Sequence, residues 1–178
     1  MKRTWTWTWT CLFAMAACGE ARTPTFPQAP IVLISVDTLR SDRLPAYGFR
    51  GVQTPALDAL RSDGILFERA YCHTPLTLPS HSSILSGLLP SHHGVRDNSG
   101  YRYDAAKFPH LPRLLKHSGY ATGAAVSSFV MRAEAGLASD FDFYDSDIEV
   151  RAAESLGNSQ RSGTTTAAAA KGWLKTVA

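Results

Sequence analysis

Residues Ile31 to Val36 read IVLISV, a continuous apolar run rich in β-branched side chains. Such a run is the mark of a strand covered on both faces, as in parallel sheets. Downstream, Thr54 and Pro55 supply an N-cap and a first helical position for ALDALRSD, which Gly64 closes, so a short helix is predicted there. Ile65 to Cys72 (ILFERAYC) reads as a second strand, and Pro79 to Ser86 as a helix stopped by Gly87. A further helix is predicted over Leu111 to His117, ending at Gly119, and Tyr120 to Ser127 reads as another buried strand. Thr164 to Val177 (TTTAAAAKGWLKTV) has the composition of a capped terminal helix despite Gly172. Strand alternating with helix defines an α/β domain with a mostly parallel sheet. Between Asp140 and Glu149, half of the ten residues are acidic, interleaved with Phe141, Phe143 and Tyr144. That segment reads as a solvated loop pinned by its aromatics, with a cation site as the alternative.

With 178 residues the chain has room for a single globular domain but not for two large ones. Hydrophobic residues at 44% and charged residues at 19% exclude a chain disordered end to end. The net charge is +3, with basic residues spread from Lys2 to Lys175, so there is no electrostatic footprint for nucleic acid. The N-terminus differs in kind: Lys2 and Arg3 precede an uncharged stretch through Ala17, with small residues before Cys18, the layout of a signal peptide over residues 1–18. The stretch is shorter than the ~20 apolar residues of a membrane-spanning helix. MAAC at Met15 to Cys18 resembles a bacterial lipobox, which would make Cys18 the lipidated first residue of an exported, membrane-anchored or periplasmic chain; a plain cleaved signal is the alternative. Without Lys2 and Arg3, sixteen basic residues face fifteen acidic ones, about +1. Residues 19–30 (GEARTPTFPQAP) read as an extended tether, and the domain is expected over 31–178. Loss of Cys11 and lipidation of Cys18 would leave Cys72 without an intrachain mate, which excludes a disulfide scaffold.

Asp37 stands directly after the first apolar run. The carboxyl ends of strands in open α/β sheets form the ligand crevice, so a carboxylate there is placed to hold a metal, although taken alone an Asp after a strand is more often a turn or cap residue. In Thr74 to Gly87 (TPLTLPSHSSILSG) a Pro-punctuated loop leads into a helix. Thr77 would sit at that helix N-terminus, where free N–H groups and the dipole favour an anionic ester and an attacking alkoxide. A divalent cation held by Asp37 would lower the pKa of that hydroxyl; the other reading is that Thr77 or Ser80 merely caps the helix.

The string IVLISVDTLRSDRLPAYGFRGVQTPALDALRSDGILFERAYCHTPLTLPSHSSILSGLLPSHHGVRDN, together with the residues to about Tyr144, resembles the N-terminal region of sulfatases. Related phosphodiesterases and phosphonate hydrolases of the alkaline phosphatase superfamily share it. The resemblance implies an alkaline phosphatase-like α/β/α sandwich, here its N-terminal half, acting on an anionic sulfate or phosphate ester with a divalent metal (Ca, Mn or Zn). It places a metal ligand on Asp37, where many sulfatases carry a second Asp and this chain has Thr38. The family's nucleophile motif, Cys or Ser, x, Pro, x, Arg, aligns with Thr77, Leu78, Pro79, Ser80, His81. A Thr cannot become formylglycine, so the resemblance implies a metal-activated Thr77 nucleophile, as in the phosphodiesterase-like branches. His81 replaces the Arg that steadies the nucleophile and could donate a hydrogen bond or compensate charge. Asn98 occupies a substrate-contacting position, its amide able to donate to a nonbridging oxygen. His92 and His93 read as solvated loop residues rather than metal ligands, and Arg40 and Asp42 as supporting residues around Asp37.

Family members supply further metal ligands later, commonly from an Asp followed by Asn or His. This chain has no Asp-His dipeptide, and its only Asp-Asn is Asp97-Asn98. The expectation is an N-terminal portion of an exported ester hydrolase, weakly active or inactive alone and lacking a C-terminal half as partner. The alternative is a catalytically silent, membrane-tethered module for binding or assembly.

Overall fold

A computed structural model describes residues 26–149 and 159–177. The chain divides into two units, 1–32 and 33–178. In the first, the described residues make a turn in which Ala29 N donates to Phe26 O at 3.2 Å, followed by exposed Ile31 and Val32. The expected signal segment, Cys18 and most of the tether lie outside the described residues.

The second unit is α/β. Its helices are α1 (Pro55–Asp63), α2 (Thr77–Ser86), α3 (Pro90–His93), α4 (Leu111–His117) and α5 (Gly163–Val177). Among the described residues, β1 (Gly123–Ala125) and β2 (Phe143–Asp145) form a parallel pair, with Gly123 opposite Phe143 and Ala125 opposite Asp145. The crossover a parallel pair requires is built from two 3-10 turns, Phe129–Met131 and Ala133–Ala135. One antiparallel bridge joins Ser128 to Gln160. α5 covers this small sheet, and Trp173 stacks on Phe143 with centroids 5.8 Å apart. The approach needs a glycine: a Cβ at Gly123 would lie 2.6 Å from the Trp173 ring.

The core lies between α2 and the chain from 95 to 137, where Leu78, Val95, Tyr103, Ala105, Met131, Ala135 and Leu137 are buried. Tyr103 N donates to Ala135 O at 2.8 Å. The turn that follows needs Gly136 at φ +92°, because a Cβ there would strike the carbonyl of Tyr103. None of the described helices is long and apolar enough to cross a membrane.

Several elements differ from expectation. Ile31–Val36 pairs with no strand among the described residues, and Ile34 is 78% exposed. Its composition anticipates neighbours on both sides, which the two-stranded sheet does not provide. Ile65–Cys72 is likewise irregular and exposed for the same reason. The strand expected over Tyr120–Ser127 narrows to β1, α2 starts at Thr77 rather than Pro79, and α5 starts at Gly163. Thr54 precedes α1 without capping it, its hydroxyl instead reaching Asp58 at 3.4 Å. The acidic stretch is no open loop: it contains β2, and Asp140, Asp142 and Asp145 are met by bases, while Asp147 and Glu149 are exposed. Asp140 pairs with His110 at 2.8 Å and Arg113 at 3.0 Å, Asp142 with Lys116 at 2.6 Å, and Asp145 with Arg161. These partners take the place that the cation-site reading gave to a metal.

Candidate active site

Leu76 is extended (φ −99°, ψ 136°) and the helix begins with the next residue, so Thr77 occupies the first position of α2. Pro79 falls in the first turn, where a helix asks for no backbone donor. Leu78, Pro79 and Ser82 are buried, and Gly87, at φ 70°, ends the helix in the left-handed conformation. α2 is thus clamped to the core on one side while Thr77 remains half-buried on another.

The Thr77 hydroxyl donates to both oxygens of Asp37, at 3.2 Å to Oδ1 and 3.1 Å to Oδ2. Asp37 is exposed and ends the Leu33–Val36 segment in a turn whose next residue, Thr38, has φ 58°. A β-branched residue at positive φ costs of order 1–3 kcal/mol, so this sharp turn after Asp37 is held against its own backbone preference.

His81 lies one helical turn after Thr77. Its Nδ1 is 2.8 Å from the Thr77 carbonyl oxygen and its Nε2 is 2.9 Å from Ser35 Oγ. Both ring nitrogens are therefore engaged. Asn98 reaches the same helix start: its Oδ1 accepts from Leu78 N at 2.9 Å. Because a backbone N–H can only donate, this bond fixes the amide's orientation and leaves its NH₂ group for another acceptor. Asp97 Oδ1 in turn accepts from Asn98 N at 2.6 Å and Ser99 N at 3.3 Å, shaping the loop that delivers Asn98. The cluster of free N–H groups expected at the helix start is smaller than anticipated: Leu78 N is taken by Asn98, Pro79 has none, and Ser80 N bonds Leu76 O at 3.0 Å. Thr77 N is the one left in that turn among the described residues.

The structure brings Asp37, Thr77, His81 and Asn98 together, and it separates out other candidates. Arg40 and Asp42 pair with each other at 2.9 and 2.6 Å, both exposed. His92 is exposed, but His93 is a core residue, contrary to the solvated reading. Its Nδ1 accepts from Val95 N at 3.2 Å and its Nε2 lies 3.0 Å from Ser83 Oγ, so it binds the loop towards Asn98 onto α2. Burial pushes its pKa below 6.5.

Sequence reasoning missed a second polar cluster, at α4. Buried His110 places Nδ1 at 2.8 Å from Asp140 Oδ2, Arg113 clasps the same carboxylate, and the His110 ring packs against Tyr103 and Phe141. Burial lowers the His110 pKa against the opposing pull of Asp140. For Asp140, burial acts upward, but the bonds from His110 and Arg113 hold its pKa below 3.8. The participants are thirty residues apart, and the only local signal was the acidic stretch itself.

As a cation site, the pair offers two carboxylate oxygens and one hydroxyl, the hard oxygen donors that Ca, Mn or Mg accept. The donors fit in kind and are few: no cluster of three or more His, Cys, Asp or Glu occurs among the described residues. Asp37 and Thr77 would by themselves supply only part of a cation's ligand set.

An α/β domain that presents a threonine hydroxyl to a carboxylate at a helix start is the class this geometry defines. The Sulfatase family matches residues 30–165, and the chain belongs to that family. It is 29% identical to an N-acetylglucosamine-6-O-sulfatase of Bacteroides thetaiotaomicron over 61% of this chain and 19% of the relative. It is 37% identical to human iduronate 2-sulfatase over 52% of this chain and 17% of that protein. With N-acetylgalactosamine-6-sulfatase of Sus scrofa the identity is 33% over 62% of this chain and 23% of the relative. The chain thus spans about a fifth of the length of these curated relatives. No solved structure matches it.

Proposed function

We propose that this chain is the N-terminal portion of an exported sulfatase-family hydrolase that cleaves a sulfate or phosphate ester with Thr77 as nucleophile, and that it is weakly active or inactive alone. The observation that carries the reading is the Thr77 hydroxyl hydrogen-bonded to both Asp37 oxygens at the start of α2. A divalent cation, when held by Asp37 and Thr77, supplies the positive charge that lowers the hydroxyl's pKa. The protein's own groups do the rest. α2 fixes Oγ1, the attacking atom, at the positive end of its dipole. The Asn98 amide, its oxygen committed to Leu78 N, directs its NH₂ at a nonbridging oxygen that gains charge as the ester is attacked. His81 steadies the turn that carries Thr77.

Incompleteness is supported by the share of the relatives matched and by the exposed apolar side chains of Leu33, Ile34, Val36, Ile65, Phe67 and Tyr71. Export through a lipidated Cys18 is proposed from MAAC at Met15–Cys18 and the charge layout before it. The test is turnover of an aryl sulfate and an aryl phosphodiester with added Mn, Zn or Ca. The 178-residue chain should give almost none, whereas the chain extended by the remainder of a sulfatase domain should be active and lose that activity with Thr77→Ala at unchanged fold. An unchanged rate in that variant would remove Thr77 from the chemistry.

A further inference from the structure

We propose that Ser35 is a positioning residue that acts through His81: its hydroxyl donates to His81 Nε2 and locks the segment carrying Asp37 to the helix carrying Thr77. The assignment deepens the proposed reading of this site and rests on it for its catalytic meaning. The chemistry of the acceptors sets the direction of each bond. A backbone carbonyl can only accept, so the 2.8 Å contact with Thr77 O puts the proton on Nδ1. A neutral imidazole then has its lone pair on Nε2, and the 2.9 Å partner, Ser35 Oγ, must donate to it.

The spacing explains why the two bonds occur side by side. Residues two apart, as Ser35 and Asp37 are, fall on one side of an extended chain and about 6.6 Å apart along it. Thr77 and His81 are four apart on α2, on one helix face with a rise of about 6 Å. The two spacings match, so Asp37 meets Thr77 where Ser35 meets His81. Among the described residues these are the two side-chain links between residues 33–39 and α2. The first of them is the bond the chemistry must give up when the Thr77 hydroxyl loses its proton. The second uses neither Asp37 nor the hydroxyl, so it keeps the segments in register through that change. It also explains how a histidine serves where both ring nitrogens are occupied: it holds the turn rather than reaching for the ester.

Histidine-selective ¹H–¹⁵N long-range NMR of the full chain at about pH 7.5 tests this, with His81 assigned by the signal lost in His81→Asn. The wild type should show a protonated Nδ1 and an unprotonated Nε2, the reverse of the preference of free imidazole. Because the Thr77 carbonyl still accepts from Nδ1, Ser35→Ala should keep Nδ1–H but move the Nε2 resonance as its hydrogen bond is lost, and Ser35→Thr, which keeps the hydroxyl, should restore the wild-type resonance. A wild-type ring protonated on Nε2, or an Nε2 resonance unmoved by Ser35→Ala, would overturn the proposal. If Ser35→Ala does not fold, the wild type and Ser35→Thr decide: Nδ1–H in both supports it, and Nε2–H in either refutes it. Thr77→Val removes the hydroxyl but keeps the carbonyl, so the ring pattern should persist. If that variant of the extended enzyme retained turnover, the nucleophile assignment would fall while the Ser35 assignment stood.

Discussion

Replacing Asn98 by Asp separates two jobs that one side chain does. Its Oδ1 accepts from Leu78 N at 2.9 Å, serving as a helix cap supplied from a distant loop, while its NH₂ group is the donor proposed for the ester. Asp retains an acceptor in the same place and adds negative charge at the positive end of α2, worth about 0.3–1 kcal/mol at an exposed helix start. Like-charged Asp37 and Asp97 nearby act against that gain, so the net expectation is stability near wild type. Ala removes the acceptor and leaves Leu78 N, whose residue is buried, without a partner. Loss of a cap costs about 0.5–2 kcal/mol, or a few degrees of melting temperature for a domain of this size. Thermal unfolding of the 178-residue chain should therefore order wild type and Asn98→Asp together and Asn98→Ala below them. In the extended enzyme both variants should lose about 10²- to 10³-fold in kcat, the cost of one donor to a developing oxyanion. Equal melting of Asn98→Ala and wild type would refute the cap, and a kcat preserved in Asn98→Asp would refute the donor.

Gly123→Ala places a methyl where the Trp173 ring lies, so α5 must lift from the sheet; Trp fluorescence should move to longer wavelength, and an unchanged spectrum would contradict the packing. Gly136→Ala combines positive φ with a collision at the Tyr103 carbonyl and should cost more than the roughly 1–2 kcal/mol of the backbone conformation alone, read as a lowered urea midpoint. His93 and His110 have folded pKa values depressed below 6.5 by burial, so the unfolded chain binds more protons just below that pH. Their contribution is complete above about pH 6.5 and is lost as the pH falls from there towards the depressed folded values, so the urea midpoint should be lower at about pH 5.5 than at about pH 7.5. Asp142, held at about 2 by Lys116 and Thr122, contributes above 3.8 and loses its contribution only as the pH falls through about 2, which separates its effect from that of the histidines.

The parts of this fold that were legible in sequence are those whose determinants are local. Pro55 opens α1, Gly87 ends α2 and Gly119 follows α4, because a missing N–H or a positive φ acts on its own residue whatever else is present. The strands were legible only as composition. IVLISV records that something should cover it, but a strand exists only as a pair, and among the described residues no strand pairs with it. β2 failed in the opposite direction: its acidic neighbours read as solvated until His110, Arg113, Lys116 and Arg161 were found against them, and those pairings span from sixteen to thirty residues.

The site followed the same division. Asp37 and Thr77 could be singled out because each stands at a position with a physical meaning, the end of an apolar run and the start of a helix. Ser35 could not, because nothing marks a serine inside an apolar run until the helix with His81 is laid beside it. Yet its consequence was implicit in the numbering: residues two apart on an extended chain and four apart on a helix cover nearly the same length. An Asp placed to meet a helix-start Thr thus carries with it a second contact, two residues earlier on one segment and four later on the other. Whatever side chains stand at those two positions govern how firmly the reactive pair is held, and here they are a hydroxyl and an imidazole that satisfy each other.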